Sequence, residues 1–69
     1  MKTSNVVSPL ADQIERVGRA LTAEELATVL NVSPKLVYKK AKTGRLPSFR
    51  IGTCVRFDPH SIAAWLRSQ

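Results

Sequence analysis

Acidic side chains, cysteine, aromatic rings and long apolar runs are all scarce in this 69-residue chain. Five Asp and Glu stand against eleven Lys and Arg. The single cysteine, Cys54, excludes an intrachain disulfide framework and fits a reducing compartment. No apolar run approaches the ~18 residues of a membrane span. The opening MKTSNVVSPLADQIERV lacks the continuous apolar segment of a secretory signal. A cytoplasmic location away from membranes is the expectation. With one Trp, one Tyr and two Phe, the core must be small, and a domain of this length buries only ~60% of its unfolded surface. The materials of catalysis are missing too. There is no Ser/His/Asp set, glycine-rich phosphate loop or pair of carboxylates at useful spacing. Cys54 and His60 are too few ligands for zinc. Cys54 reads as a small, partly buried residue and His60 as a surface one. No enzyme activity, metal or cofactor is expected.

What is present is positive charge in one place. Residues 31–56 carry Lys35, Lys39, Lys40, Lys42, Arg45, Arg50 and Arg56 and no acid at all. Residues 1–30 set Lys2, Arg16 and Arg19 against Asp12, Glu15, Glu24 and Glu25, and residues 57–69 balance Arg67 against Asp58. A basic excess confined to one contiguous half is the electrostatic footprint of a polyanion binder. Its competitor is a solvated basic face that aids solubility.

Local signals divide the chain. Residues 1–8, MKTSNVVS, are polar and are expected to form a disordered tail. Ser8-Pro9 has the chemistry of a helix start. Leu10, Ile14, Val17 and Leu21 recur on one helical face, and Gly18 is a plausible stop, giving a short N-terminal helix over 9–18. Residues 19–69 form the main domain. Thr22-Ala23-Glu24-Glu25 spells a capping box, followed by an apolar face of Leu26, Val29 and Leu30. Asn31-Val32-Ser33 is a turn, with Asn tolerating a left-handed backbone and Val32 expected to plug the space between helices. Ser33-Pro34 opens a second helix that runs to about Thr43 and stops at Gly44. Val37 and Ala41 point inward; Lys35, Tyr38, Lys39 and Lys42 point outward, with Leu36 and Lys40 at the boundary. Beyond Pro47, Ser48–Ile51 and Val55–Phe57 flank Gly52-Thr53-Cys54 as a hairpin whose register the alternation leaves open. Asp58-Pro59 starts a last helix carrying Ile62, Trp65 and Leu66, with Trp65 its largest anchor.

The expected fold is therefore mainly α with a small β-hairpin: two helices, a tight turn, and a hairpin wing. Such a pair of helices can set the second one, about residues 34–43, in the major groove, which is ~12 Å wide. Lys35, Tyr38, Lys39 and Lys42 then face DNA. The amides near Ser33 and Lys35 offer a phosphate site. Arg50 and Arg56 in the wing, with Thr53 at its tip, reach the adjacent backbone or minor groove.

At these residues the chain resembles the MerR-type excisionase and AlpA-like winged helix-turn-helix family. The resemblance rests on L-T-x-E-E-x-A, N-V-S, V-Y, G-R-L-P, R-I-G, V-R-F-D and A-x-W-L in that order, over residues 21–67. It implies sequence-specific binding of double-stranded DNA by a small nucleoid-associated protein. Its members act as recombination directionality factors beside an integrase, or as transcription regulators. Independently of the resemblance, so short a module with few base-reading residues is expected to bind weakly as a monomer and to gain affinity by lining up with itself on adjacent DNA sites. Lys40 stands where the family has an apolar residue, and Thr53-Cys54 where many relatives carry arginines, which moves readout from the wing tip to the second helix. The long dimerising helix and effector site of full MerR regulators have no counterpart, so neither metal nor drug sensing is expected. The competing function is a protein-interaction module that uses the same scaffold and the N-terminal helix.

Overall fold

The computed structural model describes residues 4–69, with side chains from Pro9 onward. The elements in order are α1 (Ser4–Glu15), α2 (Ala23–Leu30), α3 (Pro34–Lys42), β1 (Phe49–Ile51), β2 (Cys54–Arg56) and α4 (Pro59–Arg67). α2, the turn and α3 make the helix-turn-helix, and β1 and β2 make an antiparallel wing.

Caps written in the sequence set the helix ends. Thr22 accepts from the Glu25 amide at 3.0 Å, while Glu25 accepts from the Thr22 amide at 2.9 Å, so the capping box satisfies two otherwise orphaned donors. Asn31 then takes the left-handed conformation, φ 59°. The Asn31 and Val32 amides fold back onto the carbonyls of Thr28 and Ala27, which is the Schellman closure of a helix. The same device ends α3. Gly44 sits at φ 78°, and the Gly44 and Arg45 amides donate to Ala41 and Lys40. Asp58 caps α4, accepting from the Ser61 amide at 2.9 Å, with Pro59 in the first helical position.

One core joins the elements. It contains Ala11 and Ile14 of α1, Leu21, then Ala23, Leu26 and Ala27 of α2, Val37 of α3, Leu46, Phe57, and Ile62, Ala63 and Leu66 of α4. Leu21 and Phe57 also form an isolated antiparallel bridge, each amide donating to the other's carbonyl at 2.9 Å. α1 lies along α4. At its edge Arg67 Nη2 donates to Asp12 Oδ1 at 2.6 Å and Glu15 Oε1 at 2.8 Å, and His60 Nδ1 lies 3.2 Å from Glu15 Oε2. These contacts hold the Glu15 carboxyl below its usual range, the Arg67 bond contributing most and His60 next.

Several expectations need correction. The helix expected over 9–18 runs from Ser4 to Glu15 and contains Pro9. The helix is assigned from Ser4, within the span 1–8 expected as a tail, while residues 1–3 lie outside the described residues. Proline removes one main-chain donor, but docking of Ala11 and Ile14 beyond it stabilises the element. Leu21 belongs to the bridge rather than to the α1 face. Val29 and Val32 are more than a third exposed rather than packed between helices, because Ala23, Leu26 and Ala27 already fill that contact. Trp65 is only half-buried at the core margin, and the largest fully buried side chain is Phe57. The α4 face that points inward is Ile62–Ala63–Leu66, one position round from Trp65.

Truncation of a buried Phe costs ~3–5 kcal/mol. Phe57→Ala is therefore expected to lower the urea midpoint severely, and Trp65→Ala much less; equal losses would contradict this core. A second expectation concerns acid. Hydrogen bonds, first from Arg19 and then from the Thr22 amide, hold the Glu25 carboxyl down at about 2, against an ordinary 4.5. A depressed carboxyl stabilises the fold above its unfolded value, and that contribution disappears as pH falls towards the folded value. Between pH 5 and pH 2 the wild-type urea midpoint should fall more steeply than that of Glu25→Gln. Parallel curves would remove Glu25 from the account.

Candidate nucleic-acid interface

α3 is amphipathic through charge. Val37 is buried and Ala41 half-buried. At about 100° per residue, the direction opposite them is occupied by Lys39, with Lys35, Lys42 and Thr43 beside it. Lys35, Lys39, Lys42 and Thr43 are all exposed. Tyr38, 43% exposed, lies on the flank towards the wing, and Leu36 and Lys40 on the other flank. Lys40 is partly buried.

The start of α3 is narrower as an anion site than its sequence implies. Ser33 Oγ accepts from the Leu36 amide at 3.2 Å. The Leu36 and Val37 amides donate to the Ser33 carbonyl, and Pro34 has no N–H. Among the described residues this leaves the Lys35 amide as the one free donor of that turn.

The wing has a definite register: Phe49 faces Arg56, Arg50 faces Val55, and Ile51 faces Cys54. The loop is therefore Gly52-Thr53 alone, and Cys54 begins β2 rather than completing the turn. Gly52 has φ 62° while Thr53 does not adopt positive φ, the pattern of a type II′ turn that suits a two-residue hairpin. Directly opposed residues share a face, and successive residues alternate. Arg50 and Val55 consequently lie on one face, and Phe49, Ile51, Cys54 and Arg56 on the other. The first face looks towards α3: Arg50, Val55 and Ser48 line a groove with Tyr38, Ala41 and Lys42. The second leaves Phe49 41% and Ile51 64% exposed. Arg56 is partly buried there, with Nη1 donating to the Val55 carbonyl at 2.8 Å.

The expected contact residues are thus brought together unequally. Lys35, Lys39 and Lys42 form the outer stripe of α3. Tyr38, Lys42 and Arg50 meet in the groove between helix and wing. Ser33 is committed to its cap, Thr53 sits at the wing tip, and Arg56 is on the far face. Residues that the linear pattern undervalued join the site from the other flank: Leu36, Lys40, Thr43 and Arg45 line a shallow depression together with Lys39. Arg45 was visible as part of the basic run. Its placement depends on the chain reversal at Gly44, which no spacing rule gives.

Electrostatics separates this surface from the rest. Among the described residues, every ion pair involves Arg19, His60 or Arg67 with Glu25, Glu15 or Asp12. Lys35, Lys39, Lys40, Lys42, Arg45, Arg50 and Arg56 form none. The acids are used to pin α1 to α4 and to cap helices, and the cations of α3 and the wing stay available for an external anion.

Comparison with known proteins gives one family: residues 20–69 match the family model described as a helix-turn-helix domain. No curated protein and no solved structure matches the chain. α1 lies wholly before the matched segment.

The opposite faces of Arg50 and Arg56 generate a prediction. Arg50→Ala should weaken binding to duplex DNA more than Arg56→Ala in the same anisotropy titration. A larger loss for Arg56→Ala would mean that the far face of the wing meets the ligand.

Proposed function

The chain belongs to this helix-turn-helix domain family of small excisionase- and AlpA-like DNA-binding domains, and on that premise we propose that it binds double-stranded DNA sequence-specifically, with α3 in the major groove and the hairpin as a wing. The observation that carries this reading is the separation of charge. Among the described residues, seven cations on α3, its exit and the wing have no acidic partner, while the ion-paired ones lie elsewhere. Lys35, Lys39 and Lys42 meet phosphates and guanine edges. Tyr38 donates to a phosphate or packs on sugar. Arg50 and Thr53 approach the flanking backbone, and Arg56 adds long-range attraction from the outer face.

A monomer with so few base-reading groups binds modestly, and gains affinity by occupying repeated sites side by side. That behaviour suits an excisionase-like recombination directionality factor that shapes DNA for an integrase, or a small transcription regulator. No helix among the described residues is long and apolar enough to cross a membrane.

If about five cations pair with phosphates, log K should fall with log salt at a slope of roughly −4 to −5. Fluorescence anisotropy with labelled duplex at several salt concentrations measures that slope. Lys39→Glu should abolish most of the binding while leaving the thermal melt unchanged, since its side chain is exposed and unpaired. Absence of duplex binding at low salt, or binding without a salt slope, would overturn the proposal.

A further inference from the structure

Within the charged surface of α3 one side chain is out of place. Leu36 is 38% exposed, in the first turn of the helix, between the Ser33 cap and Lys39. It lies with Lys39, Lys40, Thr43 and Arg45 around the shallow depression. The arrangement is an apolar patch bordered by three cations without acid partners. Core packing does not require it, because Val37 is the fully buried contact of α3.

Leucine can neither donate nor accept a hydrogen bond, so it reads nothing on a phosphate or on the polar edge of a base. In the major groove the one apolar group on a base edge is the C5-methyl of thymine. The first turn of the second helix is the part of a helix-turn-helix that reaches base edges. Lys39, Lys40 and Arg45 around Leu36 can engage the phosphates that flank the base, and so hold the methyl against the leucine. We infer that Leu36 is a specificity-determining residue that recognises a thymine methyl in the target site. The inference rests on the DNA-binding reading above and adds a base identity to it.

The test uses the full chain and a change in the DNA. A site is first selected from a random-sequence duplex library. Each thymine of that site is then replaced singly by deoxyuridine, which keeps the pairing and removes only the methyl. Burial of one such group corresponds to about fourfold in affinity. At one thymine the wild type should bind the deoxyuridine duplex about fourfold more weakly. Leu36→Ala should bind the two duplexes equally, with an unchanged salt slope. Because the deoxyuridine comparison is made with the unaltered chain, it stands even if the variant folds poorly. Wild-type affinity insensitive to every replacement, with salt-dependent binding intact, overturns the role of Leu36 and leaves the DNA reading standing; the depression would then suit an acidic protein segment. Methyl sensitivity that persists undiminished in a folded Leu36→Ala assigns the contact to another residue and also overturns it. No salt-dependent duplex binding at all removes both proposals.

Discussion

The reciprocal hydrogen bonds between Leu21 and Phe57 tie the entry of the helix-turn-helix to the exit of the wing. Both side chains are buried, so the bridge is formed in a dry environment, where a backbone donor or acceptor left unpaired is costly. It brings the residue just before the α2 capping box beside the residue just before the α4 cap. α2 and α4 therefore start from a common point, and α3 and the hairpin lie on the chain between them. The angle between recognition helix and wing is set by this closure, since the two-stranded hairpin has little packing of its own. Its first strand is exposed along its whole length.

The second constraint is the use made of five acids. Glu25 closes the α2 cap and holds Arg19. Asp12 and Glu15 hold Arg67, and Glu15 also meets His60. Asp58 caps α4. Exposed pairs of this kind each stabilise weakly. Their larger consequence is positional: four of the five acids are occupied away from α3, so the field over the interface is not neutralised from within.

Local chemistry was the legible part of this fold. The Thr22 box, Asn31, Ser33-Pro34, Gly44 and Asp58-Pro59 each fix a helix end through atoms a few residues apart, and each appears where the sequence placed it. Properties that depend on distant partners were not legible. A hairpin whose loop is misjudged by one residue gives the wrong pairings, and only the register shows that Arg50 and Arg56 have parted company. Trp65 and Phe57 are both large aromatics in a periodic context, and which of them is enclosed depends on the direction in which α4 rolls against α1. Pro9 marked a helix start on local grounds, but a helix docked by Ala11 and Ile14 extends through it. The lysine stripe was visible from spacing alone. The contribution of Leu36 and Arg45 emerges only when the chain turns at Gly44.

The uncompensated cations have a thermodynamic consequence of their own. Seven like charges gathered on α3, its exit and the wing repel one another, so the free domain carries a self-energy that its weak ion pairs, none of which involves these seven, do little to relieve. Mobile anions screen that repulsion. Salt therefore acts on the fold and on the complex with opposite sign: it steadies the isolated domain while loosening its hold on a polyanion. A nucleic acid supplies the missing counter-charge in fixed form, and binding selectively to the folded state raises the stability of that state by mass action. The surface that recognises the ligand is in this sense also the part of the molecule least content without it.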